Sequence, residues 1–171
     1  MREVYKFCPS CQSPLEVFEE EYLACSSDHC NFVHYGNPTP VVAAIVEYEE
    51  RQILLAHNTQ WPEDWYALIT GFLERNEHPD EAVLREVQEE LGVMGELVSF
   101  VGHYPFYRMN QILLVYHVRV SGKINLNEEL DDYKIIPFSE VTYWPAGTGY
   151  AVRDFLISKG ETPVEVPFSG M

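Results

Sequence analysis

Apolar and polar positions sort into short blocks along the chain. Residues 41–48 form a continuous apolar run, the pattern of a buried strand. A polar turn at Glu49-Glu50-Arg51 separates it from residues 52–56, which predict the return strand of a hairpin. Residues 65–70 predict another short strand ending at Gly71, followed by a polar loop over 74–78. Pro79–Leu91 carries the clearest helix signal, with proline at the first helical position, acids in the first turn and Gly92 just past the end. Residues 97–104 and 111–120 predict strands, 125–132 an acidic loop and 133–138 a short strand. Residues 150–159 predict a closing helix whose buried face is Val152, Phe155 and Leu156. The tail after Gly160 holds two prolines and is expected to be loosely held. Strands mixed with helices from separate parts of the chain imply an α/β sandwich around a mixed sheet.

The first 36 residues read as a separate piece, closed by the Asn37-Pro38-Thr39-Pro40 break. So short a segment cannot bury enough area to fold on hydrophobicity alone and needs a staple. All four cysteines of the chain lie in it, between Cys8 and Cys30. In a reducing compartment such a cluster reads as a metal site rather than two disulfides. The expected organisation is therefore a small ribbon over 1–36 and a larger domain over 37–165.

Charge narrows the partners. The net charge of -16 disfavours sequence-independent nucleic-acid binding and docking on anionic lipid. A small phosphorylated substrate remains compatible if metal ions invert the local charge. No apolar run is long enough to span a membrane, and residues 1–6 lead into Cys8 without an apolar signal segment, so a cytoplasmic location is expected.

The candidate chemistry sits between Gly71 and Val93. Glu86, Glu89 and Glu90 stand at i, i+3 and i+4, which is expected to put three carboxylates on one helix face, while Val83, Leu84, Val87 and Leu91 bury the helix. Such crowding raises carboxylate pKa values unless a hard divalent cation such as Mg²⁺ or Mn²⁺ sits among them. Gly71 is expected to allow a sharp bend and to offer its carbonyl as a further oxygen ligand. Arg85 is expected to point away from this face and pair with Glu77.

Gly71, Glu77, Arg85, Glu86, Glu89, Glu90 and Gly92, with apolar Val87 and Val93, match the spacing G-x5-E-x7-R-E-U-x-E-E-x-G-U. Seven fixed residues would coincide by chance at roughly one in 10⁸ per start point. On this box the chain resembles a Nudix hydrolase from about Asn37 to Lys159. The resemblance implies an α/β/α sandwich, divalent ions held by Glu86, Glu89 and Glu90 with help from Gly71, and a Glu77–Arg85 pair. It also implies attack of an activated water on a phosphorus of a nucleoside-diphosphate-linked substrate. Glu89 and Glu86 then carry catalysis, with Glu129 in the acidic loop as an additional ligand or the general base. Phe72 matches a family aromatic that stacks on a base.

Cys8-x2-Cys11-x13-Cys25-x4-Cys30 ahead of that domain is similar to the zinc-ribbon Nudix proteins, a group that includes NADH pyrophosphatases. The resemblance implies a structural Zn²⁺ on the four cysteines, and a homodimer. The C-x4-C half departs from the commoner C-x2-C and leaves His29 open as a substitute ligand. The group's S-Q-P-W-P-F-P motif is kept here only as Pro105 and Phe106, with Tyr104 an aromatic stand-in, so ADP-ribose, NADH, other dinucleotides and sugar nucleotides all stay open. Phe106 and Tyr107 join Phe72 as substrate-binding candidates. Pro145-Ala146-Gly147-Thr148-Gly149 resembles the family's substrate-edge turn. Two other functions compete: a ligand sensor without turnover, and a protein that processes NAD-capped RNA ends.

Overall fold

The computed structural model describes residues 5–19 and 22–167. Residues 1–4, the Glu20–Glu21 pair and residues 168–171 of the tail lie outside the described residues. The chain divides into two compact units, Met1–Pro38 and Thr39–Met171.

The first unit is a three-stranded antiparallel sheet of β1 (Leu15–Phe18), β2 (Tyr22–Cys25) and β3 (Val33–His34). Among its described residues only Cys8 and Leu23 are buried, so apolar burial alone does not hold it together.

The second unit is built around β4 (Thr39–Tyr48), which continues through a tight turn into β5 (Gln52–Asn58). The chain then runs through β6 (Ile69–Phe72), α1 (Pro79–Leu91), β7 (Glu96–Phe106), β8 (Gln111–Val120) and β9 (Leu130–Pro137). Last come β10 (Thr142–Tyr143), α2 (Thr148–Ser158) and β11 (Val164–Glu165). The main sheet has the order β7-β8-β4-β5-β9, and β6 pairs with the first half of β4. β4 and β8 run parallel and the other pairings are antiparallel, so the sheet is mixed.

The period-2 geometry of β4 explains its unbroken apolar run. Val42, Ala44 and Val46 pack towards Val83, Val87 and Leu91 of α1. Val41, Ala43 and Ile45 pack on the opposite face with Val152, Phe155 and Leu156 of α2. A central strand covered on both faces has no solvent side, hence no polar alternation. The result is the mixed-sheet sandwich that the pattern implied, with the α/β/α layering that the resemblance implied.

Three expectations shift. Residues 65–68 stay outside the strand: the Trp65 N–H donates to the Pro62 carbonyl at 2.9 Å, and only a bridge between Ala67 and Ala56 pairs this stretch before β6 begins. Asp131 and Asp132, expected in the acidic loop, belong to β9, where an edge position leaves their carboxylates exposed. The described part of the tail is not loose. β11 pairs with β10, the Val166 N–H donates to the Tyr143 carbonyl at 2.8 Å, and the Tyr143 hydroxyl donates to Glu165 at 2.8 Å.

Candidate active site and cysteine cluster

α1 begins with Pro79, carries Asp80 and Glu81 in its first turn, and ends at Gly92 with φ 65°. Acids favour the positive end of the helix dipole, and the left-handed cap suits glycine. Gly92 is also needed for space, because a Cβ there would sit 2.8 Å from the Asn125 carbonyl. The helix stop therefore packs directly on the start of the acidic loop that brings Glu129 to the site.

The three glutamates do not share one exposed face. Glu90 lies seven residues after Val83 and three after Val87, so it falls on the buried stripe of α1 and is 9% exposed. The Glu86 side chain is 13% exposed and that of Glu89 56%. The trio thus grades from the sheet interface outwards to water.

Burial pushes the Glu90 carboxyl up to about 8, and the neighbouring Glu86, Glu129 and Glu89 charges push the same way. Burial also raises Glu86, against the pull of Arg85. A carboxyl this desolvated has a standing reason to accept a cation.

Arg85 does not point away from the acids, as expected, but lies among them. Its Nε and Nη2 bind Glu77 at 2.7 and 3.0 Å, and Nη1 donates to Glu86 at 2.7 Å and Glu89 at 3.2 Å. Arg85 and Glu89 stand at i, i+4, and the long stem carries the guanidinium back over the helix. The ion pair with Arg85 holds Glu77 well below its ordinary value. Glu77 also accepts from the Glu74 N–H at 3.1 Å, which ties the loop to the helix.

Gly71 does not make a bend either. It lies within β6, paired with Val42. Its absent side chain provides space: a Cβ there would overlap the Glu86 carboxyl group. Phe72 follows on the strand end with 61% exposure, and its carbonyl accepts from Arg85 at 3.4 Å.

A cavity of about 70 Å³ opens beside α1, with Asn58, Trp61, Thr70, Glu90, Glu129 and Leu130 in its wall. Glu90 and Glu129, 39 residues apart in sequence, are thereby brought together. Phe106 and Tyr107 are not in this wall. Phe106 is half-buried against the α2-side core and would touch a Cβ at Gly147, while Tyr107 is 87% exposed on the turn after β7. Sequence reasoning missed Trp61, Asn58 and Thr70. Trp61 alone carried a signal, as a tryptophan beside Pro62 in a stretch without apolar periodicity.

In the first unit two backbone knuckles present the cysteines. The Cys8 N–H donates to the Ser13 carbonyl at 2.8 Å, and the Cys25 N–H to the Phe32 carbonyl at 2.9 Å. The four Sγ atoms lie within 4.8 Å of one another, with Cys8 to Cys30 at 3.7 Å and Cys11 to Cys25 at 3.4 Å. A tetrahedral Zn²⁺ with bonds of about 2.3 Å places sulfurs about 3.8 Å apart, so the donor set fits zinc. His29 is not part of this group. Among the described residues these cysteines are the one set whose ligand atoms converge; the helix carboxylates are instead bridged by Arg85.

A family model for the NUDIX domain matches residues 37–155. The NAD-capped RNA hydrolase NudC of Vibrio parahaemolyticus is 29% identical over 126 residues, covering 73% of this chain and 48% of that protein. The human NAD-capped RNA hydrolase NUDT12 is 30% identical over 135 residues, 72% of this chain and 29% of that protein. The chain thus spans about half the length of these relatives, or less. A crystal structure of a NUDIX hydrolase from Nitrosomonas europaea superposes with a TM-score of 0.71 at 20% identity, covering 96% of this chain and 100% of that one. A UDP-X diphosphatase structure gives 0.60 at 20% identity over 75% of this chain and 66% of that one. At these identities the structures speak for the fold.

Proposed function

The chain belongs to the Nudix family, and from that premise we propose that it is a pyrophosphohydrolase that depends on Mg²⁺ or Mn²⁺. Its substrate would be a nucleoside diphosphate linked to a second moiety, such as ADP-ribose, NADH or a similar dinucleotide. The products would be two phosphomonoesters. The observation that carries this reading is the desolvated Glu90 carboxyl, raised to about 8 in a cavity it shares with Glu129.

Glu86, Glu89 and Glu90 would hold the divalent ions, with the Gly71 carbonyl as a further oxygen. Such ions, when bound, lower the pKa of their water and offset charge on phosphate oxygens. Glu129 lines the same cavity as Glu90, and would serve as an additional ligand or accept the proton of the attacking water. Arg85 orients Glu86 and Glu89 while the buttress to Glu77 keeps the loop before α1 in place. Gly71 leaves room for the Glu86 carboxyl against the strand. Zn²⁺ on Cys8, Cys11, Cys25 and Cys30 would be structural, because four protein ligands leave no open position.

The names of the relatives favour a second substrate, the NAD cap of an RNA end. A chain with net charge -16 offers little to an RNA body, so such a substrate would be met at its terminal dinucleotide only. We further propose a homodimer, supported by resemblance alone.

The test is phosphomonoester release from ADP-ribose, NADH and NAD-capped RNA with Mg²⁺ or Mn²⁺. Glu89→Gln and Glu90→Gln are expected to lower turnover by about 10² or more with the fold retained. Wild-type turnover unchanged by both substitutions would refute the metal assignment. Tight nucleotide binding with no turnover on any substrate would favour a sensor.

A further inference from the structure

The ten residues between β5 and β6, 59–68, pass over the cavity and have no strand or helix of their own. They are nevertheless tied down along their length. The Thr59 N–H donates to the Glu129 carbonyl at 2.9 Å and the Trp61 N–H to the Asn58 carbonyl at 2.9 Å. Two further staples run to β9. His57, 7% exposed, sets Nδ1 at 2.5 Å from Asp131 and Nε2 at 3.1 Å from the Pro62 carbonyl. The Tyr66 hydroxyl donates to Asp132 at 2.5 Å, and the Lys134 ammonium lies 3.6 Å from the Tyr66 ring centre.

Two residues of this segment, Trp61 and Leu68, line the site. Trp61 stands half-buried in the cavity wall, and among the residues of that wall it is the one aromatic. A cavity of about 70 Å³ has room for an ion and a few waters but not for a nucleobase. A substrate whose diphosphate approaches Glu90 and Glu129 must therefore lay its ring at the mouth, against the wall. An indole plane there offers stacking that tolerates any aromatic ring.

We infer that Trp61 is the stacking platform for an aromatic ring of the substrate, and that His57 is the positioning residue that clamps Trp61 there through Pro62 and Asp131. The inference rests on the nucleotide-hydrolase reading above and adds to it the residue that selects ring-bearing diphosphates.

The test measures binding of α,β-methylene ADP-ribose with Mg²⁺ to the full chain, a probe that cannot be hydrolysed at the diphosphate. Trp61→Ala is expected to raise Kd between about 5- and 100-fold, the range of base–aromatic stacking, and Trp61→Phe to restore most of it. With ADP-ribose the same change should appear in KM, with kcat within about three-fold. His57→Ala should weaken binding by a similar factor, and His57→Gln, which keeps one hydrogen bond, by less. The double variant His57→Ala/Trp61→Ala should bind no worse than Trp61→Ala, because His57 acts through the indole. Binding by Trp61→Ala within two-fold of wild type, no binding by the wild type, or multiplicative losses in the double variant would overturn the inference. Wild-type hydrolysis of the substrate panel reports separately on the enzymatic reading.

Discussion

Replacing Glu90 by glutamine should make the protein more stable and less active. The ordinary carboxyl value of 4.5 applies in the unfolded chain, whereas burial lifts the native value to about 8. Between these values the native state holds a proton that the unfolded state has released, so stability falls as pH rises through this window. Above pH 8 the full gap corresponds to about 5 kcal/mol of native-state penalty. The penalty is absent below pH 4.5 and in the glutamine variant. The amide loses some hydration in the cavity, about 1–3 kcal/mol, but that loss does not depend on pH.

At about 2–4 °C per kcal/mol for a chain of this size, the two melting curves should diverge by roughly 10 °C or more between pH 5 and pH 9. The assay is thermal unfolding of both proteins across that range, without added divalent ions. Other titrating groups are common to both and cancel in the comparison. Adding Mg²⁺ should recover stability in the wild type at high pH and not in Glu90→Gln. Parallel pH profiles for the two proteins would refute the argument that Glu90 is held desolvated for a cation.

Three further outcomes follow from the geometry. Gly71→Ala should displace the Glu86 carboxyl and lower kcat/KM by about 10- to 100-fold while circular dichroism stays native, since β6 needs no positive φ there. Metal analysis should find about one Zn²⁺ per chain, and a strong chelator should unfold the first unit before the second, as followed by proteolysis within residues 1–38. His117 is buried with its Nε2 2.7 Å from Glu47, and burial pulls its pKa below the ordinary 6.5. The unfolded chain then takes up a proton first, so this contribution to stability is complete above pH 6.5 and erodes as pH falls below it. Melting temperatures of wild type and His117→Gln should accordingly converge towards pH 5.5.

The box was legible because its chemistry depends on spacing along one helix. A proline start, a glycine stop and three acids at i, i+3 and i+4 are local facts that survive in any environment. The four cysteines were legible for the same reason, since a small unit with two buried side chains among its described residues shows its staple openly. Two local inferences failed where a neighbour decided the matter. Gly71 looked like a bend, but its lack of a side chain serves Glu86 across the packing interface. Arg85 was expected to turn outwards, yet Glu77, Glu86 and Glu89 surround it. Phe106, carried over from a family motif, lies half-buried against the α2-side core.

The chain alone therefore determined the layers, the strand-helix order and the kind of chemistry, because periodicity and ligand spacing are short-range properties. Tertiary structure decided which glutamate loses its water, which distant carboxylate joins it and which aromatic overlooks the pair. Those are properties of burial and of convergence between segments as far apart as Trp61, Glu90 and Glu129. Desolvation and proximity across a fold leave no periodic trace in a linear sequence.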